Sequence, residues 1–181
     1  DGHSMRKAFL RTPVNFSRIS SGFNLKRKHP VLHTVRAHKG VDYAAPTGTP
    51  VKASGDGKIT LRGRKGGYGR TVVIQHGTKY STLYAHLSSY KSGLKTGSRV
   101  RQGQVIGYVG QSGLATGPHL HYEFRVNGVH RNPLTVKLPQ ADPIAPSEKN
   151  RFVELTSPLV REMASLKAAQ YAETGRAIQT P

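Results

Sequence analysis

His119 and His121 lie one residue apart in the run from Thr116 to Glu123. Side chains two apart on a β-strand share a face, so the pair aims two imidazoles at one place. Imidazole is both a common metal ligand and the usual acid–base group near neutral pH. Alone the pair is a weak signal, because short histidine pairs arise by chance on solvated strands. A second motif, His38 with Asp42 four positions on, adds a ring nitrogen and a carboxylate oxygen, both ordinary zinc ligands. With one member of the pair they make two histidines and one aspartate. Such a set leaves a fourth tetrahedral position for water, as hydrolytic sites do and structural ones do not. A third motif ends on His86, and strand alternation places Tyr80, Thr82, Tyr84 and His86 on one face. Singly, each histidine reads as a surface or core residue. Together they point to a metal centre with spare imidazoles for proton transfer.

The elements that must position these groups are short strands. Segments 57–62, 71–76, 79–85, 104–109 and 119–126 are rich in β-branched and aromatic residues, and a shorter strand begins at Val41. Gly66-Gly67, Gly77-Thr78 and above all Asn127-Gly128 supply hairpin turns. The glycine-spaced loop from Gly110 to Gly117 lacks the lysine and the helix of a phosphate-binding loop. Residues 6–37 are basic and loop-rich, and 139–146 read as a proline-rich linker. Beyond it, Ser147 opens a short helix carrying Phe152 and Leu155, and Ser157-Pro158 opens a second. Leu159, Met163 and Leu166 share a face of that second helix. The polar face opposite is mixed rather than basic, which favours packing on protein over membrane anchoring. Asp1 to Ser4, ahead of Met5, reads as a cloning remnant, so His3 takes no part in the argument.

Composition narrows the partners. Lysine and arginine number 28 against 9 acidic residues, a formal charge of +19 that favours anionic surfaces and steers ligands toward them. No recognised nucleic-acid motif accompanies the charge, tryptophan is absent, and the basic residues are scattered, so specific nucleic-acid binding is not expected. An anionic envelope surface accounts for the charge equally well. There is no cysteine, which excludes disulfides and thiolate-bound zinc. No stretch approaches the roughly 18 apolar residues of a membrane span, and none resembles a signal segment.

The motifs resemble those of the lysostaphin-type, or LytM-domain, zinc metallopeptidases that cut peptidoglycan cross-links. The likeness rests on His38-x-x-x-Asp42, on Tyr84-Ala85-His86-Leu87, and on the run from Gly107 to Glu123, with linking runs at 44–51 and 100–107. It covers about residues 17 to 138. Ser21 to Asn24, His29-Pro30 and Asn132 to Leu134 are most similar to the Gram-negative, MepM-like branch. The resemblance implies a mainly β fold, an antiparallel open-barrel-like sheet, here with short C-terminal helices. It implies a domain division into a remnant at 1–5, a peptidase domain at 6–138 and a linker with helical extension at 139–181. It implies His38, Asp42 and His121 as ligands of one zinc ion, and His86 and His119 as the catalytic pair. Which of that pair activates water and which serves the oxyanion or leaving amine stays interchangeable on the residues alone. The implied activity is hydrolysis of D-Ala–meso-diaminopimelate bonds in the periplasm or cell envelope, with a regulatory domain or protein as a further partner. Non-catalytic relatives that activate a wall amidase lose ligands, whereas every position is kept here. Asn24 and Tyr84 are expected near the substrate groove. His76 reads as structural, His29, His33 and His130 as solvated or substrate-facing. Glu123 reads either as an acceptor that orients an imidazole or as half of a surface ion pair with an arginine.

Overall fold

The computed structural model describes residues 7–15, 18–26, 37–140 and 145–177. Residues 1–5, expected to be a remnant, and the histidines His29 and His33 lie outside these residues. Residues 7–140 gather into one compact unit, and the helical segment belongs to a second.

Among the described residues ten strands form a single sheet: β1 (Arg18–Ser21), β2 (Val41–Ala44), β3 (Pro50–Lys52), β4 (Gly57–Arg64), β5 (Arg70–His76), β6 (Tyr80–Tyr90), β7 (Arg99–Val100), β8 (Val105–Val109), β9 (His119–Val126) and β10 (Val129–Arg131). Every pairing is antiparallel, and the main path runs β1-β2-β9-β6-β5-β4-β7. β10 adds to β9, while β8 joins β6 and carries β3. The sheet is open, as the resemblance implies.

Alternation builds its core. On β9, Leu120, Tyr122 and Phe124 turn to one side and are buried against Val41 and Tyr43 of β2, Tyr84 of β6 and Ile59 and Ile74 of β4 and β5. Each large apolar side chain so buried stabilises the fold by about 1.5–3 kcal/mol. Phe9 closes this layer, meeting His76, Tyr80 and Phe124 edge to face. The intervening residues His119, His121 and Glu123 are left on the opposite face. Asn127 and Gly128 both have positive φ, 50° and 77°, which is the two-residue hairpin their sequence announces.

The C-terminal segment departs from expectation. The two short helices are one, α1 (Lys149–Ala177), with Pro158 inside it. Proline withholds an N–H from the ladder. Beside it, the hydroxyls of Thr156 and Ser157 donate back to the carbonyls of Phe152 and Val153, so the turn is held by side chains as well as main chain. Leu159, Met163 and Leu166 are exposed.

Candidate metal centre

Strand register delivers most of the site. Asp42 on β2 stands directly opposite His121 on β9, and Ala44 opposite His119, so Asp42, His119 and His121 share the face left free by the core. His38 precedes β2 and is fixed by a bridge in which its N–H and C=O both pair with Asn24. His86 arrives differently. β6 pairs with β9 as far as Ala85 and with β8 from Leu87 onward, and the register against β5 slips between Arg70 and Val72. His86 sits at that bulge with φ of 59°. The extra residue turns it onto the face of Ala85, which lies opposite His121. All five residues named by sequence, His38, Asp42, His86, His119 and His121, therefore line one cavity of about 640 Å3, walled also by Lys39, Tyr68 and Leu114.

The same bulge corrects the placing of Tyr84. Alternation without it put Tyr84 and His86 on one face, near the groove. Tyr84 is instead fully buried in the core, its hydroxyl accepting from Ser54 N–H at 2.8 Å and from Thr82 Oγ1 at 2.9 Å. Asn24 Oδ1 accepts Lys26 N–H at 2.9 Å. It does not line the cavity, and its part is the main-chain bridge to His38. His76 is structural as read, bonded to Asp56 O at 2.7 Å and Thr82 Oγ1 at 2.8 Å. His130 reaches Glu123 Oε2 at 3.1 Å.

Hydrogen bonds settle which ring nitrogens face inward. A carbonyl only accepts, so a ring nitrogen beside one must carry the proton. His38 Nδ1 donates to Gly22 O at 2.6 Å, His86 Nδ1 to Ser112 O at 2.8 Å, and His119 Nδ1 to Gly117 O at 2.8 Å. His121 is reversed: its Nε2 donates to Glu123 Oε1 at 3.2 Å. With the outer nitrogens committed, His38 Nε2 and His121 Nδ1 face each other at 3.2 Å, and Asp42 Oδ1 stands 3.0 and 2.7 Å from them. Two lone pairs and an anionic oxygen at that spacing repel unless a positive charge sits among them. A proton or a metal ion meets the need. Among the described residues, these three are also the group whose ligand atoms lie close enough together to hold a metal ion. His119 Nε2 stays 4.0 Å from Asp42 Oδ1, and its ring centroid is 4.7 Å from that of His86.

The charges follow the contacts. Burial works against the ionised form of Asp42, but with a proton on the facing nitrogens the hydrogen bonds from His121 and His38 outweigh it and hold the carboxyl well below its usual range. Burial likewise disfavours charged His121, yet its bonds to Asp42 and Glu123 raise it to about 9. His86 is lowered, by burial first and by the neighbouring histidines, against the opposing bond to Ser112. It is thus a neutral ring at neutral pH.

Several supporting residues escaped the sequence reading. A β-carbon at Gly40 would lie 2.7 Å from His121 Cε1 and 2.5 Å from Tyr122 O, so only glycine lets that ring into place. Ser112 holds His86 through its carbonyl while its hydroxyl accepts Arg70 N–H and donates to Leu87 O. Tyr68 donates to Glu123 at 2.7 Å. The only mark Gly40 leaves in sequence is its position between His38 and Asp42.

Comparison with known proteins supplies the family. Residues 36–133 match peptidase family M23, and the chain belongs to that family. It is 50% identical over 153 residues to the peptidoglycan DD-endopeptidase ShyC of Vibrio cholerae, covering 84% of this chain and 35% of that protein. A zinc-containing peptidase from Vibrio cholerae superposes with a TM-score of 0.70 at 41% identity, over 74% of this chain and 41% of the other. The catalytic domain of lysostaphin from Staphylococcus simulans does so at 0.58 and 32%, over 66% of this chain and 91% of that domain. The chain spans about a third of the length of the curated relatives it matches.

Proposed function

We propose that this chain is a zinc metalloendopeptidase that hydrolyses peptide cross-links of peptidoglycan, D-Ala–meso-diaminopimelate bonds foremost, in the periplasm or cell envelope. His38 Nε2, Asp42 Oδ1 and His121 Nδ1 would hold the ion. Zinc bonds of about 2.1 Å set at tetrahedral angles separate ligand atoms by about 3.4 Å, close to the 2.7–3.2 Å triangle they form here. Zinc held there would supply Lewis-acid polarisation of the scissile carbonyl and a bound water acidified to a pKa of about 7. The rest is work for the chain. His119, its Nδ1 proton held by Gly117, keeps Nε2 as the base that takes the water's proton. His86, held through Ser112, serves the developing oxyanion or protonates the leaving amine through its own Nε2. We assign this chemistry to residues 6–138 and treat 139–181 as a linker and helical extension. A purely activating role has no use for the intact set of ligands and both spare imidazoles. The convergence of those three inward-facing atoms beside two unligated histidines is the observation that carries the proposal.

The test is digestion of purified sacculi, with direct and with pentaglycine cross-links, and mass spectrometry of the products. Zinc-restored protein is expected to release D,D-cleaved fragments, while chelated protein and His121→Ala release none. Equal cleavage by all three samples overturns the metal assignment, and cleavage confined to pentaglycine overturns the substrate.

A further inference from the structure

Among the described residues Glu123 is the one buried carboxylate, with a relative exposure of 0%. It follows His121 by two positions on β9 and so shares its face. The expected arginine partner is present as Arg125, but the carboxylate end of the pair is buried rather than on the surface. A carboxylate so enclosed is tolerated only when its oxygens are satisfied, and both are. Oε1 accepts from His121 Nε2 at 3.2 Å and from Tyr68 OH at 2.7 Å. Oε2 accepts from Arg125 Nε at 3.1 Å, from Arg125 Nη2, and from His130 Nε2 at 3.1 Å. Saturated in this way, it is not free to take a proton from substrate.

What remains for it is the ring of His121. His38, His86 and His119 are each oriented by a main-chain carbonyl, and His121 is oriented by a carboxylate on its Nε2 side. Gly40 confines the same ring edge, since any β-carbon there would strike Cε1 and Nε2. We infer that Glu123, tethered by Arg125, Tyr68 and His130, is the positioning residue for His121: it accepts the Nε2 proton, fixes the ring's rotation and reserves Nδ1 for the metal. An anionic acceptor at the far nitrogen also makes the ligating nitrogen a stronger donor. The inference rests on the reading that His38, Asp42 and His121 hold zinc.

The experiment measures zinc affinity by competition with a chromophoric chelator for wild type, Glu123→Gln and Glu123→Ala, each shown to be folded by circular dichroism. Loss of an outer-sphere partner typically weakens metal binding by about 10–100-fold. Glu123→Gln keeps a neutral acceptor, so the expected order of affinity is wild type, then Gln, then Ala. Tyr84→Phe, which removes a buried hydroxyl on the core side, should match wild type and controls for a general loss of stability. Folded Glu123 variants that bind zinc within about threefold of wild type overturn the inference. Should neither fold, Arg125→Gln decides: freeing Glu123 from its tether should weaken zinc severalfold, and unchanged affinity again overturns it. A wild-type protein that binds no zinc would instead sink the metal assignment beneath it.

Discussion

His86 holds a backbone conformation that its side chain disfavours. A β-carbon in the left-handed region costs about 1–2 kcal/mol, and His86 accepts that at φ 59° because the bulge is what brings its ring to the site. Comparing two variants isolates this cost. His86→Gly and His86→Ala both lose the imidazole and should both lose sacculus cleavage. His86→Gly should nonetheless be the more stable, by about 1 kcal/mol in urea unfolding; equal midpoints would show that the bulge relaxes without the ring. The contrast with His38, Asp42, His119 and His121 explains what sequence makes legible. Their spacings of two and four are local and chemical; register brings Asp42, His119 and His121 together, and a main-chain bridge to Asn24 adds His38. Nothing in the run Tyr84-Ala85-His86 marks an inserted residue, so simple alternation carried Tyr84 to the wrong face. Gly40 and Ser112 were equally silent, because each is defined by an imidazole far away in the chain.

Among the elements, β6 has the heaviest task. It pairs with β5, β8 and β9 and changes partners at His86. Its core side is tied by a chain of hydrogen bonds from His76 through Thr82 and Tyr84 to Ser54. Burial lowers His76 below the ordinary 6.5, against the opposing pull of Asp56. The sign follows directly. Above 6.5 both folded and unfolded rings are neutral and stability is undiminished. As pH falls below that value the unfolded chain takes up a proton that the buried ring resists, and stability is lost until the folded pKa is passed. His76→Gln, which keeps a donor and an acceptor, should unfold with a shallower loss between pH 7 and pH 5 than wild type. Matching slopes would remove His76 as a cause. At this scale the long strands were legible, β9 to the residue, because they carry clear alternation. β1, β3, β7 and β10 are only two to four residues long, too short for any period to register. The merging of two expected helices into α1 shows the converse: Ser157-Pro158 is a good helix start, yet neighbouring hydroxyls let a helix run through it.

For the molecule as a whole, the charge of +19 is a long-range property that the site geometry does not need. It should govern encounter rather than chemistry. Screening shortens to about 10 Å at 0.1 M salt, so cleavage of anionic sacculi should slow as salt rises while kcat on a short uncharged cross-linked peptide holds steady. Parallel declines for both would place the salt effect in the active site. The clamping of all four site histidines has a broader consequence. With each ring held by a hydrogen bond from its own surroundings, metal capture is expected to ask for little rearrangement and to forfeit little entropy. Near-ultraviolet circular dichroism should be the same with and without the ion, while the melting temperature climbs steadily with the logarithm of free zinc.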